Sequence, residues 1–245
     1  MDDINFNEHI KKEHKVNYFS EYLEEVVYGG TDGIITTFAV VSGFSGANIN
    51  GSTLNLSILA VLLFGLANLV ADGAAMGFGN FLSIKSKKRF YNLNYKKELN
   101  ETINSTAYEL KQTQYILETN GFNKTDSKTL TSIISKNSDF WVKFILLHES
   151  NLENPDHINP VKTGFATFFS FVVFGFIPLI PYFFTSQVDI SFYLSIFFTF
   201  LALNILGLVR SLITQNNWLF SIFETVSIGS IAAVLAYLVG VVFVI

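Results

Sequence analysis

Five stretches of the chain run for roughly 20 residues or more with apolar side chains and almost no charge, the length needed to cross the hydrocarbon of a bilayer. They cover residues 26–47, 54–82, 163–184, 190–213 and 218–245. Between the second and third lies a polar segment of about 80 residues, patterned as helices rather than as a loop. The expected fold class is therefore all-α, an integral membrane protein with five transmembrane helices and a small cytosolic helical domain between helices 2 and 3. The expected divisions are an acidic cytosolic arm at 1–25, transmembrane helices 1 and 2 at 26–82, the helical insert at 83–162, and transmembrane helices 3–5 at 163–245.

Within the insert, NYKKELNETINSTAYELKQTQYILET has few helix breakers and predicts one helix running on from span 2, with Gly121 as its C-cap. Thr125 or Asp126 is the expected cap of a short helix through Ile134, and Asn137 or Ser138 the cap of DFWVKFILLHES. The Pro155-Asp156-His157 region returns the chain to the membrane.

Composition agrees with this reading. Half of the residues are hydrophobic, 26 of 245 are Phe, and mean hydropathy is +0.39. Charged residues make up 15%, against about 25% in an ordinary soluble domain. Their distribution decides the orientation. All 16 Lys and Arg fall at Lys11, Lys12 and Lys15, at twelve positions from Lys85 to Lys162, and at Arg210. Lys85, Lys87, Lys88 and Arg89 follow span 2 directly, where the positive-inside rule counts most. The N-terminus, insert and Arg210 loop are expected in the cytosol and the C-terminus outside it.

Several function classes drop out. No basic stripe interleaved with exposed aromatics marks a nucleic-acid partner. With no Cys there are no disulfides and no thiolate metal sites. The N-terminal segment lacks the apolar core of a cleavable leader. No Glu-x-x-His motif of a membrane di-iron enzyme lies near the spans, and no phosphate-cradling Gly loop points to ATP hydrolysis.

Carboxylates inside spans cost several kcal/mol unless they have a purpose. Three occur, at Asp32, Asp72 and Glu224. On span 2, Asn68, Asp72 and Met76 follow at i, i+4 and i+8 and so share one face. Two oxygen donors and a thioether suit a borderline transition metal better than Ca²⁺ or Mg²⁺. The plainer readings are open beside this one: Met76 as packing, Asp32 as an interfacial anchor, Gly73 and Gly77 as a close-packing pair. In the insert, an unbroken helix would place Glu98, Glu101, Glu109 and Gln112 within an arc of about 80°. Like charges on one face draw a cation or remain solvated. Glu149 and Glu21 are candidates to complete such a site; His148 reads better as an exposed side chain.

The blocks YGGTDGIITTFAVVSGFSGA, GLANLVADGAAMGFGNFLS, FWVKFILLHESNL, TGFATFFSFVVFGFIPLIPY and FETVSIGSIAAVLAYLVG together resemble the vacuolar iron transporter family, in the right order and with the insert in the right place. That resemblance implies a homodimer of five-helix protomers exchanging cytosolic Fe²⁺ for protons. It implies a path between protomers lined by positions resembling Asp32 and Met76. Family members often carry a carboxylate where Asn68 stands, and here Asp72 follows one turn later. It also implies a cytosolic cluster that gathers metal, matched by Glu98, Glu101, Glu109, Glu149 and Glu21. Gln112 replaces a Glu of that cluster, while Ile145 and Leu146 stand where Met can occur. Pro178 and Pro181 recur in the family pattern and are expected to bend span 3. Glu224 matches a common acidic residue without a role.

The functional expectation is a transporter exporting Fe²⁺, with Mn²⁺, Co²⁺ and Zn²⁺ as further cargo, in exchange for protons. Fe²⁺ is expected as the transported ion and no cofactor as tightly bound; the partners are protons, the lipid membrane and a second copy. The alternative is a metal-binding membrane sensor or storage protein without coupled transport. Composition leans towards a bacterial inner membrane, with a vacuolar membrane as the other candidate.

Overall fold

The computed structural model describes residues 22–47, 58–185 and 187–242, and among them it is all-helical with no strand. The α-helices are α1 (Leu23–Ala47), α2 (Ile58–Asn104), α3 (Thr106–Thr119), α4 (Lys124–Ile134), α5 (Ser138–Ser150), α6 (Pro160–Phe176), α7 (Pro181–Phe184), α8 (Val188–Thr214) and α9 (Trp218–Val242). The chain divides into two compact units, Met1–Asn80 with Val161–Ile245, and Phe81–Pro160.

Four stretches are long and apolar enough to cross a membrane: α2, Pro160–Leu179, α8 and α9. The protein is a multi-pass membrane protein by that measure. Of the five expected spans, α1 is the one outside the group. It has the length, 25 residues, but Thr31, Asp32, Thr36, Thr37, Ser42, Ser45 and its glycines dilute its apolar content. The physical reason lies in its surroundings. α1 packs against α8 and α9, and Ile34, Thr37 and Val41 are fully buried, so much of its surface meets protein.

Small residues let the backbones of this unit touch, the usual way helices associate where lipid is as apolar as Leu. A Cβ at Gly33 would collide with the carbonyl oxygen of Phe171, and one at Gly77 would lie 2.8 Å from that of Gly164. Gly73 faces Phe171, Val172 and Phe168, so the Gly73–Gly77 pair packs α2 on α6. Two hydrogen bonds reinforce these contacts: Asn80 Nδ2 donates to Thr167 Oγ1 at 2.8 Å, and Ser170 Oγ to the Val26 carbonyl at 2.7 Å. Span 3 is interrupted as expected at its prolines: α6 ends at Phe176, a 3-10 turn covers Ile177–Leu179, and α7 begins at Pro181.

The unit Phe81–Pro160 is built on a small core. Trp141, Val142, Ile145 and Leu146 of α5 are buried, with Tyr91, Tyr95, Leu99 and Leu152 packed around Val142 and Leu146. The Trp141 indole donates to Thr113 Oγ1 at 2.7 Å and ties α5 to α3. Helix ends follow local chemistry. Gly121 has φ +98°, Phe122 N–H reaches the Leu117 carbonyl and Gly121 N–H that of Glu118, both at 3.1 Å, a Schellman closure of α3. Asn137 caps α5, as the sequence suggests. The cap of α4 is Asn123, not Thr125 or Asp126; its side chain accepts from Asp126 N–H, which draws the helix start back to Lys124.

One expectation for this unit is corrected. The helix leaving span 2 does not run unbroken to Thr119; it ends at Asn104 and a new helix starts at Thr106. Asn, Ser and Thr compete with the helix by bonding nearby backbone. Here Thr106 Oγ1 takes the Thr102 carbonyl at 2.7 Å and Thr102 Oγ1 that of Leu99 at 2.8 Å. Ser105 between the two helices has φ −125° and ψ 32°, outside helical values.

Candidate functional site

Two groups of the sequence-selected residues come together, one in each unit. In the membrane unit, Val61, Gly65, Leu69, Gly73 and Gly77 form the buried stripe of α2. Asn68, Asp72 and Met76 each precede a residue of that stripe and are half-buried. On α1, Asp32 precedes Gly33, the point of closest contact with α6, and is also half-buried. Gly175 of α6 touches both Gly33 and Leu69, which brings this part of α1 close to α2. Asp32, next to Gly33, and Asp72, one turn after Leu69, therefore each lie within a turn of that meeting point. Two carboxylates and a thioether are the donor types that a borderline divalent ion accepts, and carboxylates at this depth are costly without a partner.

In the insert unit, carboxylate oxygens of Glu98, Glu101 and Glu109 all lie within 4.8 Å of one another. A straight helix could not do this. Glu98 and Glu109 would be separated by about 16 Å along its axis, and the break at Ser105 removes that separation. The expected single helical arc is therefore replaced by a cluster assembled from α2 and α3. Glu98 is 8% exposed and Glu109 3%, while Glu101 is half-exposed and contacts Lys97 at 3.8 Å.

The electrostatics are those of carboxylates short of a partner. Burial, then the charges of Glu109, Glu149 and Glu101, push the Glu98 carboxyl up to about 7. Burial also raises Glu109, with Glu101 and Glu149 adding to the effect and a hydrogen bond with Glu98 opposing it. Glu98 Oε1 and Glu109 Oε2 are buried and accept no hydrogen bond. Such oxygens need a proton or a cation. Their arrangement suits a divalent ion bound through oxygen.

The remaining candidates divide. Glu149, on α5, is exposed but close enough to act on both buried carboxylates. Gln112 is half-buried on α3, three residues after Glu109. Ile145 and Leu146 belong to the core of the unit. His148 is exposed, its ring against Phe144 at 4.5 Å. Glu21 lies outside the described residues. Glu224 is bound to Arg210, Nη1 to Oε2 at 2.7 Å, joining α8 to α9. The sequence held the signal for that pair: Arg210 is the only basic residue after Lys162.

Comparison with known proteins places the chain in a family. The model of the VIT family matches residues 23–241. Vacuolar iron transporter 1 of Tulipa gesneriana is 30% identical over 233 residues, covering 94% of this chain and 92% of the relative. The vacuolar iron transporter of Toxoplasma gondii is 31% identical over 238 residues, covering 94% and 76%. That of Plasmodium berghei is 33% identical over 231 residues, covering 90% and 82%.

Proposed function

The chain belongs to the VIT family, and we propose that it exports Fe²⁺ from the cytosol in exchange for protons. The relatives carry the name of iron transporters, which makes this a transport protein rather than an enzyme. The observation that supports the mechanism is that Gly175 touches both Gly33 and Leu69, so that Asp32 and Asp72 each lie within a turn of one meeting point, with Met76 one turn further along α2. Asp32 alternates between metal and proton, Asp72 shares its charge, Met76 adds a soft ligand, and Asn68 extends the oxygen lining. The Glu98–Glu101–Glu109 cluster, with Glu149, Gln112 and Glu21 as further candidate donors, captures metal on the cytosolic side.

In this reading α1 is the fifth span and two copies form the working unit. The alternation of basic segments places residue 1 and the insert in the cytosol and the C-terminus outside. The membrane is a bacterial inner membrane on composition, or a vacuolar one as for the named relatives; the insert faces the cytosol in both. Cysteines introduced at positions 124 and 245 are expected to label from opposite sides, and labelling from one side overturns the orientation.

The deciding experiment is uptake into proteoliposomes with an imposed pH gradient. Fe²⁺ entry should rise with the gradient and be matched by proton counterflow. Fe²⁺ binding without gradient-driven flux would favour the sensor or storage alternative.

A further inference from the structure

We infer that the insert cluster is an all-oxygen site selecting cations by charge and size, so that it takes Mn²⁺ nearly as well as Fe²⁺ and also takes Ca²⁺. The inference deepens the proposed capture role and rests on it; preference for the softer ion is then left to Met76.

The donor inventory comes first. The chain has no Cys and two methionines, Met1 and Met76, neither within Phe81–Pro160. This unit therefore offers no sulfur at all. Its two histidines are placed elsewhere: His148 is exposed against Phe144, and His157 Nδ1 lies 3.1 Å from the Asn154 carbonyl in the 3-10 turn. What converges is carboxylate oxygen, from Glu98, Glu101 and Glu109. Two of these side chains are more than nine-tenths buried, each with an oxygen that accepts no hydrogen bond. Those orphan oxygens show that the cluster is more than a solvated acidic face.

Coordination chemistry then sets the class of ion. Carboxylates alone suit hard cations such as Mn²⁺ and Ca²⁺, whereas thioether and imidazole ligands distinguish softer or borderline metals. Size admits the larger ion as well. Ca²⁺ binds oxygen at about 2.3–2.6 Å, and three carboxylate oxygens within 4.8 Å of one another can close around it as they can around Mn²⁺. Mg²⁺ demands a tighter octahedron and gives up water reluctantly, so it competes poorly. The only sulfur among the described residues is that of Met76, on the membrane stripe.

The test uses purified full-length protein in detergent, with the six-line electron paramagnetic resonance signal of free Mn²⁺ as the readout of binding. Mn²⁺ should bind within about tenfold of Fe²⁺ measured by anaerobic competition, as an oxygen-only donor set implies. Ca²⁺ should displace it at lower concentration than Mg²⁺. Glu98→Gln should abolish this binding phase. Glu101→Gln, at a half-exposed position, should weaken it; Met76→Leu should lower the Fe²⁺-to-Mn²⁺ flux ratio in proteoliposomes. Fe²⁺ preferred over Mn²⁺ by more than about tenfold, or binding unaffected by Glu101→Gln, would overturn the inference. Mn²⁺ binding as expected without any Fe²⁺ flux would overturn the transport reading and leave this one standing.

Discussion

Proton competition at the insert cluster offers a sharp quantitative test. A metal must bind Glu98 in its ionised form, and the free protein holds that carboxyl up to about 7. Apparent affinity then falls by the factor 1 + 10^(7 − pH), which is about 1.1 at pH 8 and about 11 at pH 6. Lowering the pH from 8 to 6 should therefore weaken metal binding about tenfold, or about 1.4 kcal/mol. Burial raises Glu109 as well, and it is hydrogen-bonded to Glu98, so the pH dependence belongs to the pair.

The same shift fixes a stability trend. The folded-state carboxyl of Glu98 lies above its ordinary 4.5, so its contribution is fully present below pH 4.5 and lost as pH rises through about 7. The metal-free protein should lose stability across that window, and added Mn²⁺ should restore it most at the alkaline end. Calorimetric titration of the full chain with Mn²⁺ at pH 6, 7 and 8 measures the first effect, thermal unfolding with and without metal the second. The Glu98→Gln variant should show little binding at any pH. Equal wild-type affinity at pH 6 and pH 8 would refute the reasoning, because it would mean that the buried carboxylates are not the ligands.

Other expectations concern the membrane unit and the insert core. Asp32→Asn keeps shape but removes the titratable charge, so proteoliposomes should lose both Fe²⁺ movement and the coupled proton flux. Met76→Leu should lower Fe²⁺ flux while unfolding shifts by less than about 1.5 kcal/mol. Thr113→Val strands the buried Trp141 N–H and should cost about 1–3 kcal/mol of stability, read as an earlier thermal transition by Trp fluorescence. Arg210→Gln and Glu224→Gln should each lower the melting temperature yet leave Fe²⁺ flux in place, with the double variant losing less than the two singles combined. Loss of flux in these folded variants would move Glu224 into the ion path.

The helices were largely legible from apolar run length, because hydrocarbon leaves the backbone few choices. α8 begins at Val188 and α9 at Trp218, within two residues of where the apolar pattern starts. The harder case is α1. Its glycines and hydroxyls lower its hydropathy for the same reason that they are useful: they face other helices, as Gly33 does against Phe171. Hydropathy measures fitness for lipid and so underrates a helix enclosed by its neighbours. Asp32 shows the same limit, since its sequence context gives its depth but not how α1 and α2 meet. Gly175 contacts both Gly33 and Leu69, a tertiary fact.

The insert cluster was recognised for a reason that the fold replaces. Angular position on one helix suggested that Glu98, Glu101 and Glu109 share a face, yet rise along the axis would have kept Glu98 and Glu109 about 16 Å apart. The weak point at Asn104-Ser105-Thr106 resolves this, and it is visible in sequence as three consecutive residues that favour side-chain-to-backbone bonds over helix. Thr102 and Thr106 use those bonds on either side of the break. The consequence is chemical. An unbroken helix would present its carboxylates singly to water, where each keeps its charge at little expense. The break instead brings Glu98 against Glu109 and buries both, a state that is costly unless a proton or a cation joins them. Thr113, one turn beyond Glu109, is held by the Trp141 indole, which fixes α3 against α5 and denies the carboxylates an easy retreat into solvent. The metal affinity proposed for this unit would thus be built from a poor helix-forming tripeptide, a tryptophan clamp and two acids held together.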